Sequence, residues 1–562
     1  MFARSVKRSV PRRTPSFFKP RFNSTKPTPT TPASGSSKSS LLYPSLFFAA
    51  GIAATFGYFK LFPAPAPIKT NSTTKLSDLG PIEYGSEEDF QQAIKEITEL
   101  LGQEHISTLE TSLDAHNDTF FQTHHPLPGQ RPRVIVYPGS TEEVSKVLKI
   151  IHKYKVPVVP FSGGTSLEGQ FIASRSGISL DVTRLDKIVE FNAKDLDITV
   201  QAAVGWQDLA EYLNPHGLLF GPDPGPGAHI SGMCSTNCSG TNAARYGTMK
   251  DNVLSLTIVL PDGTIVKTKK RPRKSSAGYN LTGLFIGAEG TLGVITEITL
   301  KLHVKPEQET IAVVNFNSVT EATDAVSAIF AKGIQLNAME MLDTNMMKCI
   351  NFAGTTNKTW KEVPTLFLKI GGSPVILKEL IKSVKEITKA SGATGFEFAS
   401  TEEEKEELWS ARKAILWSSI DYAKHVLNDQ NTKAYITDVA VPVSRLSKVI
   451  AETQKDLDDC GLTHTVLGHV GDGNFHALVL YREDEAKEVK MAVDRLVERA
   501  LANEGTCTGE HGVGVGKREY LLKEVGEEGI DLMRQIKLAI DPLRLFNADK
   551  VFKIDPTEHI EH

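Results

Sequence analysis

Pro160-Phe-Ser-Gly-Gly-Thr-Ser-Leu-Glu-Gly169 follows a short β-rich run and sets Gly163 and Gly164 among the hydroxyls of Ser162, Thr165 and Ser166. Glycine lets backbone N–H groups approach a ligand closely, and successive N–H groups flanked by hydroxyls make a concave nest suited to a pyrophosphate. Alone, a Gly-Gly step between two strands is more often only a turn. The stretch is neither a GxGxxG fingerprint nor a Walker loop, so it indicates neither NAD nor ATP.

The surroundings read as α/β protein. Residues 134–137 form a β-rich run, Ser140 and Glu143 are spaced as a capping box, and Val144, Val147, Leu148 and Ile151 recur at helical spacing before a second strand over 156–160. Ile198, Val200 and Ala202 alternate as a strand, residues 206–213 read as a helix, and a helical segment around 87–102 precedes the unit. From about Pro306 longer helices with separated strands mark a second domain, and no internal repeat is present.

Two further segments repeat the glycine theme. Gly221-Pro-Asp-Pro-Gly-Pro-Gly-Ala-His-Ile-Ser-Gly232 runs on to Asn237, Gly240, Asn242, Ala243, Arg245, Tyr246 and Gly247. Phe285-Ile-Gly-Ala-Glu-Gly-Thr-Leu-Gly-Val-Ile-Thr296 interleaves glycine with apolar β residues. Such segments cannot build a core, but they can lay backbone against a large flat ligand. Three of them in one domain favour a cofactor cradle over a loop-rich surface.

Gly468-His-Val-Gly-Asp-Gly-Asn-Phe-His476 is the sharpest local signal in the second domain. Residues 465–467 and 475–480 look like strands around a Gly471-Asp-Gly-Asn474 turn. If Val470 and Phe475 close the loop, His469 and His476 are direct cross-strand neighbours with Cβ atoms about 5 Å apart. Gly509-Glu-His-Gly-Val-Gly514 adds Glu510 and His511 on a glycine-flanked loop. Two histidines and one carboxylate, with one position open, is the usual composition of a catalytic zinc site, and taken by itself it also suits a metallohydrolase.

The whole chain, 562 residues with net charge -4, is long enough for two or three folded units and lacks the cationic excess that nucleic-acid binding needs. Small-molecule chemistry is therefore expected, without a nucleic-acid partner. Five cysteines are too few for a disulfide scaffold, and Cys234 and Cys238 lack the second pair a zinc ribbon needs, so all are read as buried thiols. Arg4, Lys7, Arg8, Arg12, Arg13, Lys19 and Arg21 appear with no acid before Asp78, the pattern of a mitochondrial presequence; a disordered basic tail is the alternative. Residues 41–59 are uncharged and bounded by Lys60 and the Pro63, Pro65, Pro67 linker. That length suits a single transmembrane helix or a cleavable sorting signal. With the basic side retained in the matrix, the catalytic body would face the intermembrane space.

The three glycine segments resemble the FAD-binding domain of the vanillyl-alcohol-oxidase-type flavoproteins, and the chain from about Arg131 onward resembles their D-lactate dehydrogenase (cytochrome) branch. The resemblance implies an α+β protein: a two-subdomain FAD-binding fold plus an α+β C-terminal substrate/cap domain. The expected organisation is presequence and linker 1–40, membrane anchor 41–62, linker and helical opening segment 63–130, FAD-binding domain 131–306, substrate and metal domain 307–540, and a C-terminal return to FAD over 541–562.

By the same resemblance Ser162, Gly163, Gly164, Thr165 and Ser166 would hold the FAD pyrophosphate, and Pro222, Asp223, Gly227, Ile230 and Gly232 would line the flavin. Tyr246, Gly247, Glu289, Ile295 and Asn547 fall in matching FAD-contacting segments. Some relatives link FAD through a histidine in the glycine loop; Thr165 stands there in this chain, so non-covalent FAD is expected. His469, His476 and Glu510 carry over as ligands of Zn2+ or a similar divalent metal, His511 as the base, and Arg412 as the clamp on a substrate carboxylate. Hydroxyglutarate-type relatives have Lys and Asn where this chain has Ile436 and Leu478. An apolar pocket disfavours a second carboxylate. The implied reaction is oxidation of D-lactate to pyruvate, with D-2-hydroxybutyrate, glycolate and D-2-hydroxyglutarate as alternatives. The implied acceptor is cytochrome c at the inner mitochondrial membrane.

Overall fold

The computed structural model describes residues 71–558. The presequence and the 41–62 membrane segment lie outside them. Among the described residues no helix is long and apolar enough to cross a membrane.

Three sheets carry the architecture. In the first, strands β1 (Ile106–Ser107), β2 (Val134–Val136), β3 (Val158–Phe161) and β4 (Ile178–Asp181) lie in the order β1-β2-β4-β3. β2 and β3 both run parallel to β4. Parallel strands need a crossover, supplied by helix α2 (Thr141–Tyr154), which packs on the preceding helix α1 (Glu87–Leu101). Val144, Val147, Leu148 and Ile151, on one stripe of α2, are fully buried beside Val134, Val136, Ile178 and Leu180. The expected capping box is only half formed. Ser140 Oγ accepts from Glu143 N, but Glu143 Oε2 accepts from Gly139 N rather than from Ser140, one residue outside the pattern.

The second sheet is antiparallel, with order β5-β6-β9-β7-β8 for β5 (Ile188–Asn192), β6 (Asp197–Gln201), β7 (Val253–Val259), β8 (Ile265–Lys267) and β9 (Val294–Lys301). Helices α3 (Trp206–Leu213) and α4 (Ile230–Thr236) bury Leu209, Leu213, Ile230 and Met233 with Ile198, Val200, Ile298 and Leu300.

The third sheet has eight strands. Its main path is β13-β10-β12-β11-β15-β16-β14, formed by β10 (Gln308–Asn315), β11 (Ala338–Leu342), β12 (Thr365–Gly372), β13 (Gly395–Phe398), β14 (Lys433–Ile436), β15 (Thr463–Gly468) and β16 (Asn474–Tyr481). Both faces are covered, so alternate residues of one strand enter different cores: Ala312 and Val314 pack on one side, Ile311 and Val313 on the other. The second of these cores includes helices α5 (Glu402–Lys413) and α6 (Ile415–Val426), which carry Leu408, Ala411 and Ile415.

After helix α7 (Arg518–Ile540) the chain returns to the first sheet. Val158 N donates to Leu545 O and Asn547 N to Val158 O, both at 2.9 Å. The cysteine reading needs one correction. Cys234, Cys238, Cys349 and Cys507 are buried free thiols, but Cys460, just past the end of a helix, is exposed.

Candidate active site

A cavity of about 1170 Å³ is bordered by segments from all three sheets. The β3–β4 loop contributes Ser162, Gly163, Gly164, Thr165 and Ser166. A Cβ on Gly163 would sit 2.8 Å from Gly227 O, and Gly164 has φ +63° with Phe161 as its neighbour. These glycines are therefore required by the loop's own packing. Ser162 Oγ lies 3.1 Å from His229 Nδ1 and accepts from Ser231 Oγ at 3.2 Å.

Of the other expected cradle residues, Asp223, Gly232, Glu289, Ile295 and Asn547 line the cavity, whereas Pro222, Gly227, Ile230, Tyr246 and Gly247 do not. Ile230 is buried in the second-sheet core, Tyr246 packs on His303 at 4.7 Å between ring centroids, and Gly247 caps a short helix at φ +77°. Gly227 acts from behind, as the wall against Gly163. Asn547 donates through Nδ2 to Gln170 O and Glu289 O, while its buried Oδ1 has no partner. An orphaned acceptor in a cavity floored by glycine backbone fits a polar, extended cofactor such as a dinucleotide.

The histidine hairpin forms, but its register differs from expectation. β15 and β16 pair Leu467 with His476, so His469 is not directly opposite His476. A slip of one residue would have sent the two side chains to opposite faces; this slip is two, so both stay on one face as diagonal neighbours. Their ring centroids are 5.5 Å apart. Glu510 completes the group, with Oε1 3.0 Å from His469 Nε2 and 3.4 Å from His476 Nε2. These three residues offer ligand atoms within 4.8 Å of one another, as do Asp438, His476 and His511. His476 Nδ1 lies 2.9 Å from Thr437 O, and His469 Nδ1 lies 2.7 Å from Glu340 Oε1. Both partners are pure acceptors, so both rings carry the proton on Nδ1 and turn Nε2 toward Glu510.

His511 stacks on His476 at 5.1 Å between centroids and lines the cavity. Burial is the largest single influence and would lower its basicity, but Asp438, Glu168 and Glu510 together outweigh it, so the imidazole is more basic than usual. Burial likewise disfavours charge on Glu510, yet the two facing imidazoles hold its carboxyl well below the ordinary range.

Three acids that sequence reasoning did not single out organise this site. Asp438 Oδ2 accepts from Thr508 Oγ1 and from the consecutive amides of Gly509, Glu510 and His511, at 2.8–2.9 Å. Its other oxygen accepts from Asn474. Glu168, fully buried, takes Lys517 at 3.0 Å and faces His511 Nδ1 at 3.7 Å. Glu340 accepts from Arg412 Nε at 2.6 Å as well as from His469. For Glu340 the signal was available: an acid in the middle of the apolar run Ala338-Met-Glu-Met-Leu342 is out of place unless paired. For Asp438 it was not, because its partners are 36 to 73 residues away.

Arg412 and Trp409 reach the cavity from α5. Ile436 and Leu478, directly paired across β14 and β16, form its wall with Leu467. The site thus brings together an arginine, an apolar wall, a His/Glu group with metal-ligand spacing and a further histidine beside a glycine-backed cradle.

The FAD binding domain family model matches residues 132–269, and the model for the C-terminal domain of FAD linked oxidases matches residues 305–551. "D-lactate dehydrogenase [cytochrome] 1, mitochondrial" of Saccharomyces cerevisiae is 55% identical over 87% of this chain and 84% of that protein. "D-lactate dehydrogenase [cytochrome], mitochondrial" of Arabidopsis thaliana is 40% identical over 93% and 92%. Among solved structures, p-cresol methylhydroxylase with substrate bound superposes with a TM-score of 0.68 at 16% identity, covering 85% of this chain and 99% of that one, which shows a shared fold.

Proposed function

From its membership of the D-lactate dehydrogenase (cytochrome) family of FAD-linked oxidases, we propose that this chain oxidises D-lactate to pyruvate in the cavity just described and passes the electrons to a cytochrome. The observation that carries the reading is the meeting, in one cavity, of Arg412, His511 and the His469, His476, Glu510 group with the Ser162–Ser166 loop.

FAD would lie on residues 162–166, with Asp223, Gly232, Glu289, Ile295 and Asn547 along its length, held without a covalent link. Zinc or a similar divalent ion would be held by His469, His476 and Glu510. When bound, FAD supplies the two-electron acceptor and the ion the Lewis acidity that eases removal of a hydroxyl proton. The chain's own residues do the rest. Arg412, its Nε already engaged, offers both terminal nitrogens to the substrate carboxylate in bidentate geometry. That contact fixes the orientation of the carbon to be oxidised and makes the reaction effectively unimolecular. His511 takes the hydroxyl proton, with Glu168 and Asp438 behind its Nδ1 to stabilise the imidazolium that results. Ile436, Leu467 and Leu478 exclude water and accept a methyl group.

A small D-2-hydroxy monocarboxylate fits this wall better than a diacid, because a second carboxylate would be buried without a partner. We place the enzyme in mitochondria, as its relatives' names suggest. We further place it at the inner membrane facing the intermembrane space, with cytochrome c as acceptor; the presequence-like start and the uncharged segment 41–59 support this. The test is anaerobic flavin reduction across a panel of D- and L-2-hydroxy acids. D-Lactate should bleach the flavin fastest. No bleaching by D-lactate, or equal rates with D-2-hydroxyglutarate, would overturn the assignment.

A further inference from the structure

Glu340 lies in the middle of β11, where every residue is buried, and each of its oxygens serves a different side chain of the site. Oε1 is 2.7 Å from His469 Nδ1 and Oε2 accepts from Arg412 Nε at 2.6 Å. We infer that Glu340 is a positioning residue that sets His469 as a metal ligand and Arg412 as the substrate clamp through one carboxylate, an assignment that rests on the function proposed above.

A carboxylate only accepts, so contact with Oε1 holds a ring proton of His469 on Nδ1, and Nε2, which faces Glu510, is the nitrogen that would be left to ligate a metal. A carboxylate behind a ligating imidazole also raises its basicity and fixes its plane. The second oxygen takes the one guanidinium nitrogen that a bidentate clamp does not need. The plane of Arg412 is thereby set while its terminal nitrogens stay free for the cavity. A buried counter-ion for Arg412 alone would explain one oxygen and leave the His469 contact unaccounted for. Since both contacts come from one side chain on a strand buried on both faces, neither partner can reorient without disturbing the other.

Glu340→Gln keeps the volume but offers one acceptor oxygen and turns an NH2 toward the other donor, so it cannot satisfy both partners. In the FAD-loaded full-length enzyme the zinc dissociation constant, measured by chelator competition, should rise about 10–100-fold. KM for D-lactate should rise at least tenfold, more than kcat falls, at unchanged flavin content. Arg412→Met should weaken zinc binding at least threefold in the wild-type background and not at all in Glu340→Gln, because the coupling runs through this carboxylate.

A zinc constant within threefold of wild type in Glu340→Gln, with or without a lower melting temperature, would reduce Glu340 to a structural ion pair and overturn the inference. Wild-type enzyme that binds no divalent metal would overturn the metal assignment itself and this inference with it, and that failure shows in the control arm. Should Glu340→Gln not fold, histidine 15N shifts of the zinc-loaded wild type decide, with His469 assigned by His469→Gln. Nδ1–H with metal on Nε2 supports the role; the reverse attachment refutes it.

Discussion

At the scale of single residues, the proposed choice between substrates falls to Ile436 and Leu478. They face each other across two strands and line the cavity, so they act on whatever occupies the far end of the substrate. Ile436→Lys with Leu478→Asn should move preference from D-lactate toward D-2-hydroxyglutarate, since a buried cation and amide favour a distal carboxylate and penalise a methyl group. The ratio of kcat/KM values for the two acids measures this. A change below about tenfold, roughly 1.4 kcal/mol, would show that other positions set the substrate. Glu289 gives a residue-level prediction for stability. Burial raises its carboxyl from 4.5 to about 7, although the amides of Val513 and Gly514 donate to it. Between those values the folded protein keeps a proton that the unfolded chain has released. This contribution to stability is therefore complete below about pH 4.5 and is lost as pH rises through 7, by up to roughly 3 kcal/mol. Denaturant titrations of the flavin-free protein should show a flatter pH dependence over that window in Glu289→Gln; an unchanged slope would refute the buried protonated carboxyl.

At the scale of elements, the loop bearing Glu510 and His511 owes its shape to Asp438, which gathers three consecutive amides on one oxygen. Asp438→Ala leaves those amides without their acceptor, while Lys517 keeps Glu168, and should cost about 3–5 kcal/mol by thermal or chemical unfolding, with metal retention falling as well. A loss under 1 kcal/mol would mean that the loop is held by other contacts. Packing inside the glycine loop constrains it independently of any ligand: a Cβ on Gly164, in left-handed backbone, would meet the Phe161 ring at 2.8 Å. These cases show what was legible in the chain. Gly163, Gly164 and the hairpin around Gly471 could be read because glycine and turn constraints act over a few residues. The register of β15 and β16 could not, since it is set by the turn's own conformation together with pairing to β11 and β14. Tyr246 and Ile230 were placed on the cavity wall by position in a matching segment, but the direction of a side chain depends on core partners such as His303 and Val200.

At the scale of the whole molecule, the glycine-loop cradle and the histidine group belong to different sheets. The glycine loop hangs on the first, Gly232 and Ile295 attach to the second, and His469 and His476 are built on the third. Removing metal by chelation, or His476→Ala, should therefore abolish D-lactate oxidation while bound flavin stays near stoichiometric, as absorbance will show. Flavin lost in step with metal would mean that the two sites stabilise each other. The return of the C-terminus has a consequence for biogenesis. Asn547 joins Gln170 across a separation of 377 residues, an encounter that costs about 5 kcal/mol in chain-closure entropy before any contact compensates it. Until residues 545–547 join the first sheet, the cradle therefore lacks one of its walls. A chain stopped after residue 540 should accumulate without flavin, and capture of the cofactor becomes the event that certifies a finished polypeptide.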